Sequence, residues 1–463
     1  MNKTLTLAFA LAGLALPAHA ADLDTGAVKD PLPDTLTWYG VTLYGNIDVG
    51  YAYQSHGAPV SGAFPQILEY NIWNAKNASR TISTVAADAL QRSNIGLTMA
   101  EDIGAGWQAV GKAATDFNPL SGELADGPAS LLRNFGVPLA KQTANGDSNR
   151  AGQAFNGEVF AGVSNVSYGT LTVGRQRSFQ YEAFDVYDPQ GLSYAFGIIG
   201  YSASFSGAGD TEAARWDDSV KYTYQYGPLH AGAMFSNGGQ DTGIFGEAYG
   251  FDVGGAYRGF AADAIYQKVG DVVSASAASA TTLRAVISDN ESWSVQGKYT
   301  YEFGDGFKDG ATAAKLTFYG GYENISFANP DTNPSNFLGQ TTVGGYRISA
   351  VTLNPYQTDR VLQLAWTGAK VELLSGWSFT GAYYHVEQNA FLGTVSKPAA
   401  GTIQTAANTS GSYNDGSFVV DYRFNKHFDV YAGVNYSTLD GGLSSGYLNN
   451  NQTTVATGVV LRF

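Results

Sequence analysis

The chain has 463 residues, 26 Lys and Arg against 40 Asp and Glu for a formal net charge of −14, and no cysteine. That balance excludes a basic nucleic-acid face, and the absence of thiols excludes disulfides and cysteine chemistry. Charged residues make up 14% of the chain, Gly numbers 57 and Tyr 29; about 25% charged and about 7% Gly are usual, so an ordinary soluble composition is excluded too.

The first element, Met1 to Ala20, carries Lys3, an apolar run from Leu5 to Leu16 and the small-residue sequence Ala18-His19-Ala20. This pattern predicts a cleaved signal peptide for export. Its removal takes away Lys3 alone among the charged residues and leaves 443 residues at a formal −15. A short segment, 21–40, follows, and 41–463 shows no linker-like composition shift, so one domain is expected there. No later stretch reaches the ~18 apolar residues of a membrane helix, which leaves strands as the means of crossing a bilayer.

Period-two alternation begins at Val41. In the first strand Leu43, Ile47, Val49 and Tyr51 alternate with Thr42, Tyr44, Asn46 and Asp48. Farther on, Trp293, Val295, Tyr299, Tyr301 and Phe303 alternate with Ser294, Gln296, Lys298, Thr300 and Glu302, and Phe418, Val420, Tyr422 and Phe424 with Val419, Asp421 and Arg423. One face suits lipid and the other water. Short turns such as Tyr168-Gly169, Tyr226-Gly-Pro228, Arg258-Gly259 and Ser375-Gly376 alternate with long loops near 54–90, 118–157, 179–214, 237–247, 269–291, 326–359, 389–415 and 438–451. Eight long loops and seven short turns separate sixteen strands, enough to enclose a water-filled lumen. Within the first long loop, Ala86 to Leu90 suits a single helical turn. Trp107, Trp293, Phe303, Trp377, Phe379, Phe424 and Phe428 fall near the expected short-turn ends, where an interfacial girdle belongs. The last residues, Val455 to Phe463, form an alternating strand ending on an aromatic, whose edge is left open unless the sheet closes last strand to first. The expected fold is therefore an all-β, transmembrane antiparallel barrel.

Thr42-Leu-Tyr-Gly45, Ser93-Asn-Ile-Gly-Leu97 followed by Glu101-Asp-Ile-Gly104, Gly174-Arg-Gln176 leading to Tyr187-Asp-Pro189, Arg215-Trp-Asp-Asp-Ser-Val-Lys-Tyr222, Asp421-Tyr-Arg-Phe424 and the final Phe463 occur in an informative order. Together they resemble the general-diffusion porins of Gram-negative outer membranes, especially the proteobacterial branch, over most of the mature chain. The resemblance implies a sixteen-stranded barrel, usually a homotrimer, whose third long loop, here about Ser178 to Ala214, folds into the pore. It implies passive diffusion of small hydrophilic solutes and ions, with no cofactor and no catalysis, in an outer membrane of lipid and lipopolysaccharide. It also implies a basic ladder on the wall facing acidic loop residues, and an aromatic C-terminus, Phe463, read by the barrel-assembly machinery.

Carried onto this chain, the ladder comprises Arg175 and Arg215, before and after the inserted loop, with Arg92 on the face of Asn94 and Lys112 and Arg177 as further candidates. Arg177 also suits a rim position. The loop carboxylates are Glu182, Asp185 and Asp188, with Asp210 and Glu212 beyond. Strand parity places Arg92, Lys112 and Arg215 toward water, whereas Arg175 shares its phase with Leu171 and Val173. A bulge at Gly174 would return Arg175 to the lumen.

Other functions leave weaker traces. Gly442-Leu-Ser-Ser-Gly446 fits a nucleophile-elbow string but lies in a polar loop, with neither the preceding strand nor the following helix that such an elbow needs. The five histidines, at 19, 56, 230, 385 and 427, show no paired metal spacing, so no metal site is expected. Asp116 and Asp331 read as solvated carboxylates before they read as cation ligands. The aromatics Tyr181, Phe184, Tyr187, Tyr194, Phe196, Tyr201 and Phe205 leave open a substrate-selective channel with a sugar-stacking slide, and a non-conducting adhesive or structural barrel is the remaining alternative.

Overall fold

The computed structural model describes residues 36–55, 81–124, 154–197, 214–238, 246–279, 281–303, 314–331, 342–343, 346–353, 356–391, 409–444 and 449–463. The expected signal peptide, and with it His19, His56, Tyr201, Phe205, Asp210 and Glu212, lie outside the described residues.

Sixteen antiparallel strands form a ring. They are β1 (Val41–Gln54), β2 in two pieces (Ile82–Ala87 and Asn94–Gly104), β3 (Trp107–Asp116), β4 (Val159–Asn165), β5 (Gly169–Arg177), β6 (Arg215–Tyr226), β7 (Leu229–Ser236) and β8 (Ala248–Tyr257). The second half comprises β9 (Phe260–Ser279), β10 (Thr282–Glu302), β11 (Ala314–Ala328), β12 (Arg360–Leu373), β13 (Trp377–Gln388), β14 (Gly411–Asn425), β15 (Phe428–Gly441) and β16 (Asn451–Arg462). Closure is direct: β16 runs antiparallel to β1 from Asn46 opposite Arg462 to Gln54 opposite Thr454. Gly45 and Phe463 then exchange both backbone hydrogen bonds, at 3.0 and 3.1 Å. Every strand thus has a neighbour on each side, which a hydrocarbon solvent demands because it offers no partner to a free amide.

The sidedness is that of a membrane barrel. On β10, Trp293 and Val295 are 44% and 54% exposed, whereas Ser294 and Gln296 between them are 1% and 2% exposed. Apolar side chains face outward and polar ones line an occupied interior. Aromatic contacts girdle the short-turn end: Trp377 to Tyr422 and Tyr422 to Phe424, both 4.7 Å between ring centres, and Phe424 to Phe428 at 5.6 Å.

Several expectations change. The segment 269–291 is not a loop: β9 and β10 continue through it as a hairpin with a register shift between Val269 and Val272, as its β-branched, alternating residues favour. A small strand, Tyr346–Thr352, pairs in parallel with its Thr282–Val286 portion. Trp293 consequently stands nine residues from Glu302, about 30 Å along the strand, and belongs to the opposite belt, with its ring 5.4 Å from Tyr322. Leu36–Trp38, at the end of the segment preceding the barrel, forms a strand on the start of β1. The helical turn expected over Ala86 to Leu90 is absent. Ala86 and Ala87 pair with Gly50 and Val49 of β1, and the chain then detours inward over 88–93, held by Asp48 Oδ2, which accepts from the amides of Leu90 and Gln91 at 2.8 and 2.7 Å.

Candidate pore constriction

After β5 the chain turns into the barrel as helix α1, Phe179–Tyr187. Ser178 caps it, its hydroxyl accepting from the Tyr181 amide at 3.3 Å, and Glu182 sits in the first turn, where the helix dipole favours a negative charge. Phe179, Ala183, Phe184 and Tyr187 bury themselves against Trp216, Met234, Ile265, Leu364, Trp366 and Tyr384 of the wall. The barrel thus contains a hydrophobic core on one side of its lumen. Polar anchors fix the seat: the Trp366 indole donates to the Tyr187 carbonyl at 3.0 Å, the Ser294 hydroxyl to Gln180 Oε1 at 2.6 Å, and Gln190 to the Ser417 hydroxyl at 2.9 Å. Beyond α1, Ser193 Oγ and the Ala195 amide both bond the Ala89 carbonyl, at 2.7 and 3.0 Å. Wall glycines receive the loop's side chains; a Cβ on Gly232 would lie 2.6 Å from the Phe179 ring and one on Gly433 2.7 Å from that of Phe196.

The opposite face of α1 meets a cluster of cations. The guanidinium carbons of Arg92, Arg177 and Arg215 lie 5.7, 4.8 and 4.7 Å from the centre of the Tyr181 ring. The Tyr181 hydroxyl accepts from Arg92 at 2.5 Å and from Arg215 at 3.3 Å. Arg177 and Arg215 are direct cross-strand partners, a like-charge arrangement that is unfavourable alone; the ring between them supplies cation–π attraction of about 0.5–2 kcal/mol per contact. Burial raises the Tyr181 pKa, but the guanidiniums of Arg92, Arg215 and Arg177 outweigh it and hold the phenol below its ordinary value. Carboxylates complete the cluster. Arg92 Nε is 2.9 Å from Asp116, Arg177 pairs with Asp185 of α1 and, at 3.3 Å, with Glu158, and Glu158 also pairs with Lys112.

Of the residues expected from sequence, Arg92, Lys112, Arg177, Arg215 and Asp185 therefore meet at one place. The parity of Arg175 is resolved by an irregularity between Gly174 and Gln176, with Gly174 at φ +138°. The side chain turns inward but is 8% exposed; it pairs with Asp217 and donates to the carbonyls of Gly157 and Asn156 at 3.2 and 3.3 Å. Glu182 pairs with Lys221 at the base of α1. Asp188 serves the loop itself. It is 3% exposed, caps the loop by accepting from the amides of Gln190 and Leu192 at 3.2 and 2.9 Å, and accepts from the Tyr384 hydroxyl at 2.5 Å. The loop aromatics Tyr181, Phe184, Tyr187 and Phe196 are at most 2% exposed, so they pack rather than present a stacking slide. Asp217 and Lys221 share the water-facing phase of Arg215 in the sequence but are not among the expected constriction residues, and Glu158, just before β4, carries no sequence signal; parity marks such positions as candidates without selecting them. Asp331 is 3.4 Å from Lys268.

The sequence profile of Gram-negative porins matches residues 6–442. The chain belongs to the Gram-negative porin family. As a porin it has its place in the outer membrane, and the family and fold are those of a channel. It is 28% identical over 238 residues to an outer membrane porin protein of Bordetella pertussis, a match spanning 51% of this chain and 48% of that protein, about half its length. Among solved structures it is similar to an anion-selective porin from Comamonas acidovorans, with a TM-score of 0.57 at 15% identity, covering 91% of this chain and 99% of that one. It is also similar to the trimer form of OmpT, an outer membrane protein of Vibrio cholerae, with a TM-score of 0.54 at 14% identity and coverage of 91% and 99%.

Proposed function

We propose that this porin is a passive, non-catalytic diffusion channel for small hydrophilic solutes and ions, working as a homotrimer among lipid and lipopolysaccharide after insertion by machinery that reads Phe463. The observation that carries this reading is the cluster of Arg92, Arg177 and Arg215 around Tyr181, held within the ring by a helix seated on one wall. Fixed charges of both signs at a waist orient water and dipolar solutes and reject apolar ones. Because Asp116, Glu158 and Asp185 each contact a cation, the waist is strongly dipolar but close to neutral overall, and selectivity is weak.

Planar-bilayer recording under a salt gradient, with sugars as blockers, tests this. Large ohmic steps in groups of three, a small reversal potential and no saturable block are expected. Arg177→Glu places a third carboxylate beside Asp185 and Glu158 and moves the reversal potential toward cations. That displacement shrinks between 0.1 and 1 M salt as the screening length falls from about 10 to about 3 Å. Saturable block by one solute class would replace the general channel with a selective one, and no current from a folded trimer would end the channel reading.

A further inference from the structure

Below α1, the wall carries a group that chain spacing conceals. His230 of β7, Asp252 of β8 and Asp263 of β9 come from three consecutive strands. Gly254 of β8 pairs with both His230 and Asp263, and Asp252 lies two residues along the same face. Having no side chain, Gly254 leaves open the space in which the three meet; a Cβ there would collide with the Asp263 carboxylate. His230 Nε2 is 3.1 Å from Asp252 Oδ2 and 3.2 Å from Asp263 Oδ1, and the three ligand atoms lie within 4.8 Å of one another.

We propose that His230, Asp252 and Asp263 bind a divalent cation of the zinc class. Two ligands each about 2.0–2.1 Å from a tetrahedral zinc are about 3.3 Å apart, close to both spacings seen. A second observation points to a cation ligand set. Asp252 Oδ1 is a buried oxygen with no hydrogen-bond partner among the described residues, and Asp263 Oδ1 meets the His230 ring at 3.2 Å without a well-formed hydrogen bond; the two side chains are 11% and 12% exposed. Burying carboxylate oxygens uncompensated is costly, and a metal ion removes that cost. An imidazole with two carboxylates suits zinc better than magnesium, which requires a near-octahedral oxygen shell.

These residues border a cavity of about 630 Å³ that also reaches Phe179, Glu182 and Thr223. Three protein ligands leave a fourth position facing it, where water or an anionic group completes the coordination. Binding would neutralise two wall carboxylates below the waist. The inference does not depend on how the waist selects ions, and its test reads metal directly.

Isothermal titration of chelator-treated, full-length mature porin with zinc chloride is expected to give one ion per chain, and magnesium chloride none. X-ray absorption should place a nitrogen and oxygen shell at about 2.0 Å that includes one imidazole. His230→Ala and the volume-conserving Asp252→Asn should each bind at least about tenfold more weakly. Gly254→Ala, which keeps every ligand but fills the space between them, should do the same; circular dichroism identifies the correctly folded variants. Absence of stoichiometric zinc uptake by the folded wild type overturns the proposal, as does an absorption spectrum without imidazole or uptake unchanged in folded variants.

Discussion

Phe184→Ala separates the seating of the inserted helix from the stability of the ring. Phe184 is 1% exposed, and its ring centre is 5.1 Å from that of Trp366. Truncating a fully buried Phe costs about 3–5 kcal/mol through lost transfer energy and the cavity left behind. At 1.4 kcal/mol per decade, the equilibrium between seated and unseated helix shifts by roughly two to nearly four powers of ten. The cost falls on α1, because every barrel strand is hydrogen-bonded to its neighbours and none pairs with the helix. Trimer yield and β-sheet signal should therefore persist, while the loop becomes open to limited proteolysis and the channel conducts more current with more open-state noise. Unchanged conductance and protease resistance in a correctly folded variant would refute the reasoning. The polar anchors, Asp188 with Tyr384 and Gln190 with Ser417, would then hold the loop without its apolar face.

Gly433→Ala introduces a Cβ 2.7 Å from the Phe196 ring, an overpacking of about 1–3 kcal/mol; mass spectrometry of the digest should show cleavage at the far end of the loop before any near α1. Asp217→Ala removes the carboxylate paired with the buried guanidinium of Arg175, at a cost of about 3–5 kcal/mol. The urea unfolding midpoint should fall, with Asp217→Asn recovering part of the loss. Tyr181 should ionise below the ordinary tyrosine value because its guanidinium neighbours outweigh burial. Folding lowers this pKa, so linkage adds stability as pH rises through the folded value and completes the gain above the unfolded value of about 10. An ultraviolet titration of wild type minus Tyr181→Phe should show that early step, and a step at or above about 10 would contradict the cluster's electrostatics.

Much of the architecture is legible from one residue to the next. Period-two alternation locates β1, β10 and β14 and assigns their faces, because the two sides of a membrane strand meet solvents of opposite kind. The same parity isolates Arg175 as an exception and points to Gly174 as its cause. Legibility stops where long-range register decides. The hairpin over 269–291 mixes β-branched residues with small Ser and Ala that suit a loop equally well, and the register between β9 and β10 decides for strand. Asp188 and Asp185 are three residues apart with equal claims to the lumen, yet the end of α1 turns Asp188 into a cap beside Tyr384. His230, Asp252 and Asp263 carry no local pattern because their neighbourhood exists only across three strands.

The seam where β16 meets β1 has a consequence for assembly. Ala195 and Phe196 of the inserted loop pack in one cluster with Ala52 of β1, Ala86 of β2, Ala89 between its two pieces, Val419 of β14, Tyr431 of β15 and Ala456 and Val460 of β16. Those wall residues come from opposite ends of the chain and become neighbours only after the last strand docks on the first. The far end of the loop thus has no complete binding site in an unclosed sheet. Like a keystone, it locks only when the arch is finished, so barrels whose seam remains open would carry an unlatched loop and could be recognised by proteases before they reach the membrane as faulty channels.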